Sequence, residues 1–102
     1  MKTQKRFDDD VEVVIFTKPA CIQYEATHKA IKKLEADYDV IVDYELVDIT
    51  RDSAARDYVL SLGYLQAPVV IVSRKGRPDQ TWSGFRPDRI KQIMDADALY
   101  AA

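Results

Sequence analysis

Two short runs of β-branched apolar residues limit the folds that this chain can adopt. Val11 to Phe16 reads Val-Glu-Val-Val-Ile-Phe, and Pro68 to Ser73 reads Pro-Val-Val-Ile-Val-Ser. Runs of this length and composition predict strands that are buried on both faces. Pro68 fits the first position of its strand, where the sheet needs no backbone donor. A sheet built from such strands needs helices on both sides to cover it.

Three segments have the spacing of amphipathic helices. The first runs from Cys21 to about Asp37, with charged residues such as Glu35 expected in water. The second is predicted from 51 to 62, and the third begins at Pro87. The apolar face of the first helix is predicted to consist of Tyr24, Thr27, Ile31, Leu34 and Tyr38. Thr50 and Gly63 are the predicted caps of the second helix, and Ile90, Ile93, Met94 and Leu99 the apolar positions of the third.

The remaining segments complete a mixed sheet. Val40 to Ile49 alternates after its opening and predicts one strand, and Gln80 to Ser83 follows a polar turn and predicts a hairpin partner for the run at Pro68. The resulting order is β-α-β-α-β-β-α, an α/β fold with a four-stranded mixed sheet flanked by three helices. Its first two strands should be parallel through a right-handed crossover. We expect one domain over 11–102, preceded by a flexible N-terminal extension over 1–10.

Charge and hydropathy exclude several classes of partner. The 102 residues carry 15 Lys and Arg against 17 Asp and Glu, a formal charge of -2, and the basic residues are scattered. No field therefore draws in nucleic acid or an anionic membrane. The charged N-terminus lacks a signal-peptide core, and no apolar run approaches the roughly 20 residues of a membrane span. We expect a cytoplasmic protein that works as a monomer.

Cys21 is the only cysteine, so an internal disulfide is impossible. It lies where the first strand ends and the first helix begins. Unpaired backbone N–H groups and the helix dipole favour a thiolate at such a position, and Lys18 would add to this effect. The alternative is a buried thiol that acts as a small apolar filler. Position alone leaves both interpretations open.

Three stretches of the chain resemble the NrdH-type redoxins, small glutaredoxin-like members of the thioredoxin superfamily. They are FTKPACIQY at 16–24, YELVDIT at 44–50, and LGYLQAPVV through WSGFRPDRI at 62–90. The resemblance covers almost the whole chain apart from the N-terminal extension. It implies a thioredoxin fold and exchange of electrons with disulfides. It also implies thioredoxin reductase and class I ribonucleotide reductase as partners.

The resemblance also implies roles for individual residues. Cys21 matches the attacking cysteine, and its active-site loop comprises Lys18, Pro19, Ala20, Ile22, Gln23 and Tyr24. Pro68 matches a proline that is cis in that fold, which would turn the backbone of Ala67 toward Cys21 to pair with an extended substrate. Substrate docking would involve Ala67, Pro68, Trp82, Ser83, Gly84 and Phe85. Taken by their residue types alone, Trp82 and Phe85 would be core residues and Pro87 a helix starter.

The chain departs from this family at one decisive position. The family reads Cys-x-Gln-Cys, whereas this chain reads Cys21-Ile22-Gln23-Tyr24. In a dithiol protein, the second cysteine releases the substrate by closing an internal disulfide. A well-oriented internal group acts at an effective concentration of about 10⁵ M or more, which a free thiol does not reach. A phenol forms no disulfide, so Tyr24 removes the internal step.

Three hypotheses about function follow. In the first, Cys21 performs monothiol thiol-disulfide exchange, and a small thiol or a partner's cysteine resolves the mixed disulfide. In the second, the domain is a redox-inactive or partner-trapping binding module that keeps the docking surface. In the third, two copies of Cys21 and two external thiols hold an iron-sulfur cluster, although Ile22-Gln23 argues against it.

Other chemistry finds little support in the sequence. His28 lies about two turns along the first helix and is expected at or near the surface rather than as a base for Cys21. Asp8, Asp9 and Asp10 are interpreted as a solvated charge run rather than a metal site. We expect no metal, because neither a second cysteine nor a pair of closely spaced histidines is present. We also expect no nucleotide or flavin cofactor, because no glycine-rich loop follows a strand.

Overall fold

A four-stranded mixed sheet forms the centre of the protein. In the computed structural model, which describes residues 10–95 and the backbone of residues 5–6, its strands run in the order β4-β2-β5-β6. They are β2 (Val11–Thr17), β4 (Glu45–Asp48), β5 (Val69–Arg74) and β6 (Gln80–Ser83). β2 is parallel to β4 and antiparallel to β5, and β5 is antiparallel to β6. The predicted four-stranded mixed sheet is confirmed.

Three helices cover the sheet, as the apolar strands require. They are α1 (Ile22–Tyr38), α2 (Ser53–Ser61) and α3 (Pro87–Gln92). Along β2 and β5, successive side chains alternate between two apolar clusters. One cluster joins the sheet to α1 and α3 and contains Val13, Ile15, Val70, Val72, Ile31, Leu34, Ile90 and Ile93. The other joins it to α2 and contains Phe16, Val69, Ile71 and Val59.

The prediction of one continuous strand over Val40 to Ile49 is wrong. The chain forms a short strand β3 (Val40–Ile41), leaves the extended pattern, and resumes as β4 at Glu45. β3 pairs in parallel with β1 (Lys5–Arg6). This pairing falls in the segment predicted to be a flexible extension. Because residues 1–4 and 7–9 lie outside the described residues, the prediction for the extension as a whole remains a prediction.

The helix boundaries also differ from those predicted. Asp52, not Thr50, caps α2, because its carboxylate accepts a hydrogen bond of 3.0 Å from the backbone N–H of Ala55. The described part of α3 ends at Gln92, and Ile93 and Met94 lie in the turn that follows. Leu99, the last apolar position predicted for this helix, lies outside the described residues.

Glu35 and Tyr38 exchange the environments that the sequence predicts for them. Tyr38, at the end of α1, is exposed, whereas the Glu35 side chain is buried. The Glu35 carboxylate accepts a hydrogen bond of 2.8 Å from the backbone N–H of Val42 and lies 3.1 Å from the Lys32 ammonium. The break between β3 and β4 explains the burial of Glu35, because a buried N–H outside a sheet ladder needs another acceptor.

Substitution of Glu35 tests this role. Glu35→Ala should lower the free energy of unfolding by about 1–3 kcal/mol, because it leaves the Val42 N–H buried without an acceptor. Asp37→Ala is the control: Asp37 pairs with Lys33 at the surface, and its loss should cost less than about 1 kcal/mol. Urea denaturation of both variants measures the difference. Equal losses would show that Glu35 makes no more than a surface ion pair.

Candidate thiol site

Cys21 is the residue that opens α1. It is the N-cap, with φ -91° and ψ 107°, and its carbonyl accepts the first helical hydrogen bond from the N–H of Glu25. Ala20 before it has a φ of 57°, a left-handed conformation that turns the chain from the loop after β2 into the helix. The sulfur therefore lies at the positive end of the 17-residue helix α1.

Cys21 is buried by its neighbours, yet it lines two open clefts. Its side chain is a free thiol with only 7% of its surface exposed. The first, the Tyr24 cleft, measures about 350 Å³ and is lined by Thr17, Lys18, Pro19, Ala20, Cys21, Tyr24, Glu25, Leu46 and Asp48. The second, the Ala67 cleft, measures about 360 Å³ and is lined by Lys18, Ala20, Cys21, Ile22, Gln23, Ile49, Leu65, Gln66 and Ala67. Cys21 therefore lies between two clefts that open on different sides of the active-site loop.

Exposed apolar side chains surround these clefts. Leu65 is 92% exposed, Ile22 is 80% exposed and Leu46 is 50% exposed. Large apolar side chains that are this exposed and lie close together are typical of surfaces that bind a partner. Ile22 belongs to the loop predicted from the sequence, whereas Leu65 and Leu46 do not.

The predicted docking segments meet beside Cys21. The Ala67–Pro68 peptide bond is cis, as the resemblance implies, and Ala67 lines a cleft together with Cys21. The Pro68 carbonyl accepts a hydrogen bond of 2.7 Å from the N–H of Gly84, and the Ser83 hydroxyl donates one of 2.6 Å to the Gln66 carbonyl. Two loops distant in sequence are therefore joined at this edge of the sheet.

Gln23 joins the active-site loop to the same edge. Its side-chain oxygen accepts a hydrogen bond of 2.9 Å from the backbone N–H of Phe85. Gly84 permits this contact, because a Cβ there would lie 2.8 Å from that oxygen. Gly84 also has a φ of +79°, which disfavours any other residue.

Trp82 lies apart from the other predicted docking residues. Its side chain is 3% exposed and packs in the core between the sheet, α1 and α3. The Arg89 guanidinium lies 5.1 Å from the centre of the Trp82 ring. The structure therefore places Trp82 where its residue type alone predicts, inside the core, while Phe85 remains partly exposed.

Tyr24 is held by two further aromatic side chains. Its hydroxyl lies 2.7 Å from the Tyr44 hydroxyl, which in turn lies 2.6 Å from Nδ1 of His28. Burial, followed by the hydrogen bond with Tyr24, raises the pKa of the Tyr44 hydroxyl above its ordinary value. The side chain at the former resolving position is thus directed toward Tyr44 by a hydrogen bond, and its ring packs against the core. His28 is half-buried, and its contact with Tyr44 gives it a structural role.

The comparisons with known proteins agree with this geometry. The family model described as Glutaredoxin matches residues 13–76. The chain belongs to the glutaredoxin family. It is 31% identical over 86 residues to the glutaredoxin-like protein NrdH of Escherichia coli, an alignment that covers 84% of this chain and 93% of that one. It is also 29% identical over 83 residues to the gene 56 protein of Mycobacterium phage D29, with coverage of 81% and 82%.

Solved structures confirm the thioredoxin fold. The NrdH-redoxin of Escherichia coli, described as a glutaredoxin-like protein with a thioredoxin-like activity profile, superposes with a TM-score of 0.66 and 32% identity over 80% of this chain and 93% of that chain. Mitochondrial thioredoxin 3 of Saccharomyces cerevisiae, at 16% identity, superposes with a TM-score of 0.61 over 87% and 80% of the two chains. The resemblance to NrdH-type redoxins is confirmed. This chain is an NrdH-like redox protein of the glutaredoxin family.

The described residues contain neither a group arranged to hold a metal ion nor a helix suited to span a membrane. Across residues 10–95, no group of three or more His, Cys, Asp or Glu side chains is arranged to hold a metal ion. No helix in that part of the chain is long and apolar enough to cross a membrane.

Several residues of the site escape prediction from sequence. The spacing of four residues between Tyr24 and His28 predicts that both lie on one face of α1. Tyr44 follows 20 residues after Tyr24, and only the crossover from α1 to β4 brings it there. Leu65 and Leu46 read as ordinary apolar residues, because sequence alone does not show that they are exposed.

The contact of Gly84 with Gln23 can be tested against a second glycine. Gly84→Ala should destabilise the fold more than Gly63→Ala, because both have a positive φ but a Cβ at Gly63 meets nothing within 4 Å. The additional loss should be about 0.5–1.5 kcal/mol, the value of the hydrogen bond from Phe85. Chemical denaturation measures it. Introducing Gln23→Ala into both glycine variants should remove the additional loss, and its persistence would contradict this account.

The raised pKa of Tyr44 predicts a loss of stability in alkali. An unfolded tyrosine ionises near pH 10, whereas the folded protein keeps the Tyr44 hydroxyl neutral to higher pH. The contribution is therefore fully present below about pH 10 and falls as the pH rises above it. The difference in free energy of unfolding between the native chain and Tyr44→Phe should shrink over that range. A difference that stays constant with pH would contradict the prediction.

Proposed function

We propose that this protein catalyses monothiol thiol-disulfide exchange through Cys21. The Cys21 thiolate attacks one sulfur of a disulfide, forms a mixed disulfide with it, and releases the other sulfur as a thiolate. A thiol from outside the chain then attacks the mixed disulfide. A second such thiol completes the cycle, so that two thiols are oxidised to one disulfide and Cys21 is restored.

The position of Cys21 between two open clefts carries this proposal. A filler thiol would be enclosed by the core, whereas Cys21 is among the residues that line both clefts, although only 7% of its surface is exposed. Cys21 stands at the start of α1, the positive end of the helix dipole, which attracts negative charge. Lys18 lines both clefts and adds a positive charge.

Tyr24 supports an external resolving thiol. Its hydroxyl is engaged with Tyr44, and a phenol cannot form a disulfide. We propose that partners dock on the surface around the Ala67 cleft, where exposed Leu65 and Ile22 offer apolar contacts and Ala67 offers a backbone edge. Gly84 and Ser83 support that edge through their hydrogen bonds to Pro68 and Gln66.

The proposed partners are protein disulfides and disulfides of small thiols. Thioredoxin reductase and ribonucleotide reductase, which the resemblance implies, would be joined to Cys21 through mixed disulfides rather than through an internal dithiol. We further propose that the protein acts as a monomer in the cytoplasm. The partner-trapping module remains the second candidate, since a long-lived mixed disulfide would use the same clefts.

Turnover distinguishes these two functions. With a peptide joined to a small thiol by a disulfide, and that thiol in excess, the native chain should release many equivalents of peptide. Cys21→Ser should release none above background, because the attacking sulfur is gone. The peptide released per protein molecule is the measurement. A single equivalent with an accumulating adduct would support the trapping module, and no reaction at Cys21 would contradict both functions.

A gain-of-function variant tests the role of Tyr24 in the same assay. Tyr24→Cys restores Cys-x-x-Cys and should add reduction of a disulfide within one peptide at one equivalent, without any external thiol. Tyr24→Ser opens the same space without supplying a second sulfur, so it should not gain this activity. Equal behaviour of the two variants would show that position 24 lacks the geometry of a resolving thiol.

A further inference from the structure

The two clefts beside Cys21 differ in their walls. Tyr24, which occupies the position of a resolving cysteine, lines only one of them. Ala67, whose backbone adjoins the cis proline, lines only the other. The side from which an internal thiol would approach Cys21 is therefore the side of the Tyr24 cleft.

Thiol-disulfide exchange requires the entering thiol and the departing partner to lie on opposite sides of the Cys21 sulfur. When a thiolate attacks a disulfide sulfur, the attacking, attacked and departing sulfurs lie close to a line. If the departing partner occupies the Ala67 cleft, a thiol that attacks the Cys21 sulfur must arrive from the Tyr24 cleft. The volume of about 350 Å³ accommodates a small molecule there.

We propose that the Tyr24 cleft admits the external resolving thiol and favours a small thiol bearing an amine over one bearing carboxylates. This inference rests on the monothiol function proposed above. The entering thiolate bonds to the Cys21 sulfur, and the bond from Cys21 to the departing partner breaks and leaves that partner as a thiolate. A second small thiol then attacks the first one's sulfur, which yields a small disulfide and the Cys21 thiolate.

The charges of the cleft give the preference for an amine. Its wall carries two carboxylates, Glu25 and Asp48, against the single ammonium of Lys18. Hydrogen bonds from the hydroxyl and N–H of Thr50, at 2.6 and 2.8 Å, lower the pKa of Asp48 and keep it ionised. Arg51 lies 4.0 Å from Asp48 but is largely in solvent, so it offsets this charge only in part. The Ala67 cleft, in contrast, has Lys18 as the charged residue among its lining residues.

A pair of matched variants separates the two clefts. Leu46 lines the Tyr24 cleft alone, and Leu65 lines the Ala67 cleft but not the Tyr24 cleft. Both are at least half exposed, so a larger side chain need not disturb the core. Leu46→Trp should slow resolution of a Cys21–peptide mixed disulfide by several-fold more than it slows formation. Leu65→Trp should have the opposite effect. Stopped-flow measurement of the two steps, with cysteamine as the resolving thiol, reports each rate separately.

The charge preference is tested with three thiols. Cysteamine, 2-mercaptoethanol and 3-mercaptopropionate each resolve the native chain's mixed disulfide, and each rate is divided by that thiol's rate with a small disulfide carrying the same peptide. The corrected order should be amine, neutral, acid. Glu25→Gln should reduce the ratio of amine to acid by about two- to threefold at low salt. Asp79→Asn, which removes a carboxylate from the turn between β5 and β6, should leave this ratio unchanged.

These experiments distinguish failure of the proposed monothiol function from failure of the inference about the clefts. If Cys21 forms no mixed disulfide or never turns over, the monothiol function fails. If it turns over but Leu46→Trp and Leu65→Trp slow the same step, the assignment of the clefts is wrong. If Glu25→Gln changes the rates of all three thiols equally, Glu25 acts on Cys21 through α1 rather than on the entering thiol, and the charge preference is overturned.

Discussion

The pairing of β2 on both of its edges determines where the thiol lies. β2 is parallel to β4 on one side and antiparallel to β5 on the other, and Phe16 near its end stands opposite Val69 at the start of β5. The loop that leaves β2 toward Cys21 and the segment that enters β5 through Ala67 must therefore meet. Since both faces of β2 pack into apolar clusters, a shift by one residue would exchange the two sets of side chains and is strongly disfavoured.

Much of this arrangement follows from local sequence. The two β-branched runs, the helical spacing after Cys21 and the hairpin at Gln80 are each sufficient to predict an element, and together they predict a mixed sheet with one parallel pair and one antiparallel hairpin. The break between β3 and β4 was not predicted, because Val40 to Ile49 has apolar residues on both sides of Asp43 and contains neither Gly nor Pro to mark the end of a strand. Its compensation comes from Glu35 on α1, which is a neighbour only in the folded chain.

The site was predicted only in part, because some of its residues become neighbours only in the folded chain. Cys21 stands out by its position before the first helix, but the roles of Cys21 and Pro68 at the site follow from the resemblance. Gly84 and Gln23 lie far apart in sequence, and their close approach depends on the hydrogen bond from Phe85. Trp82 shows the reverse case: the resemblance suggested a docking residue, whereas its size and apolar character already indicated the core. Exposure of Leu65 and Leu46 depends on how the whole surface is assembled, which no local pattern describes.

The hydrogen bonds among Tyr24, Tyr44 and His28 make position 24 dependent on two other side chains. The Tyr44 hydroxyl contacts both the Tyr24 hydroxyl and Nδ1 of His28, so a cysteine at position 24 would leave the half-buried Tyr44 with one partner fewer. An engineered dithiol would carry that cost unless position 44 were redesigned together with position 24.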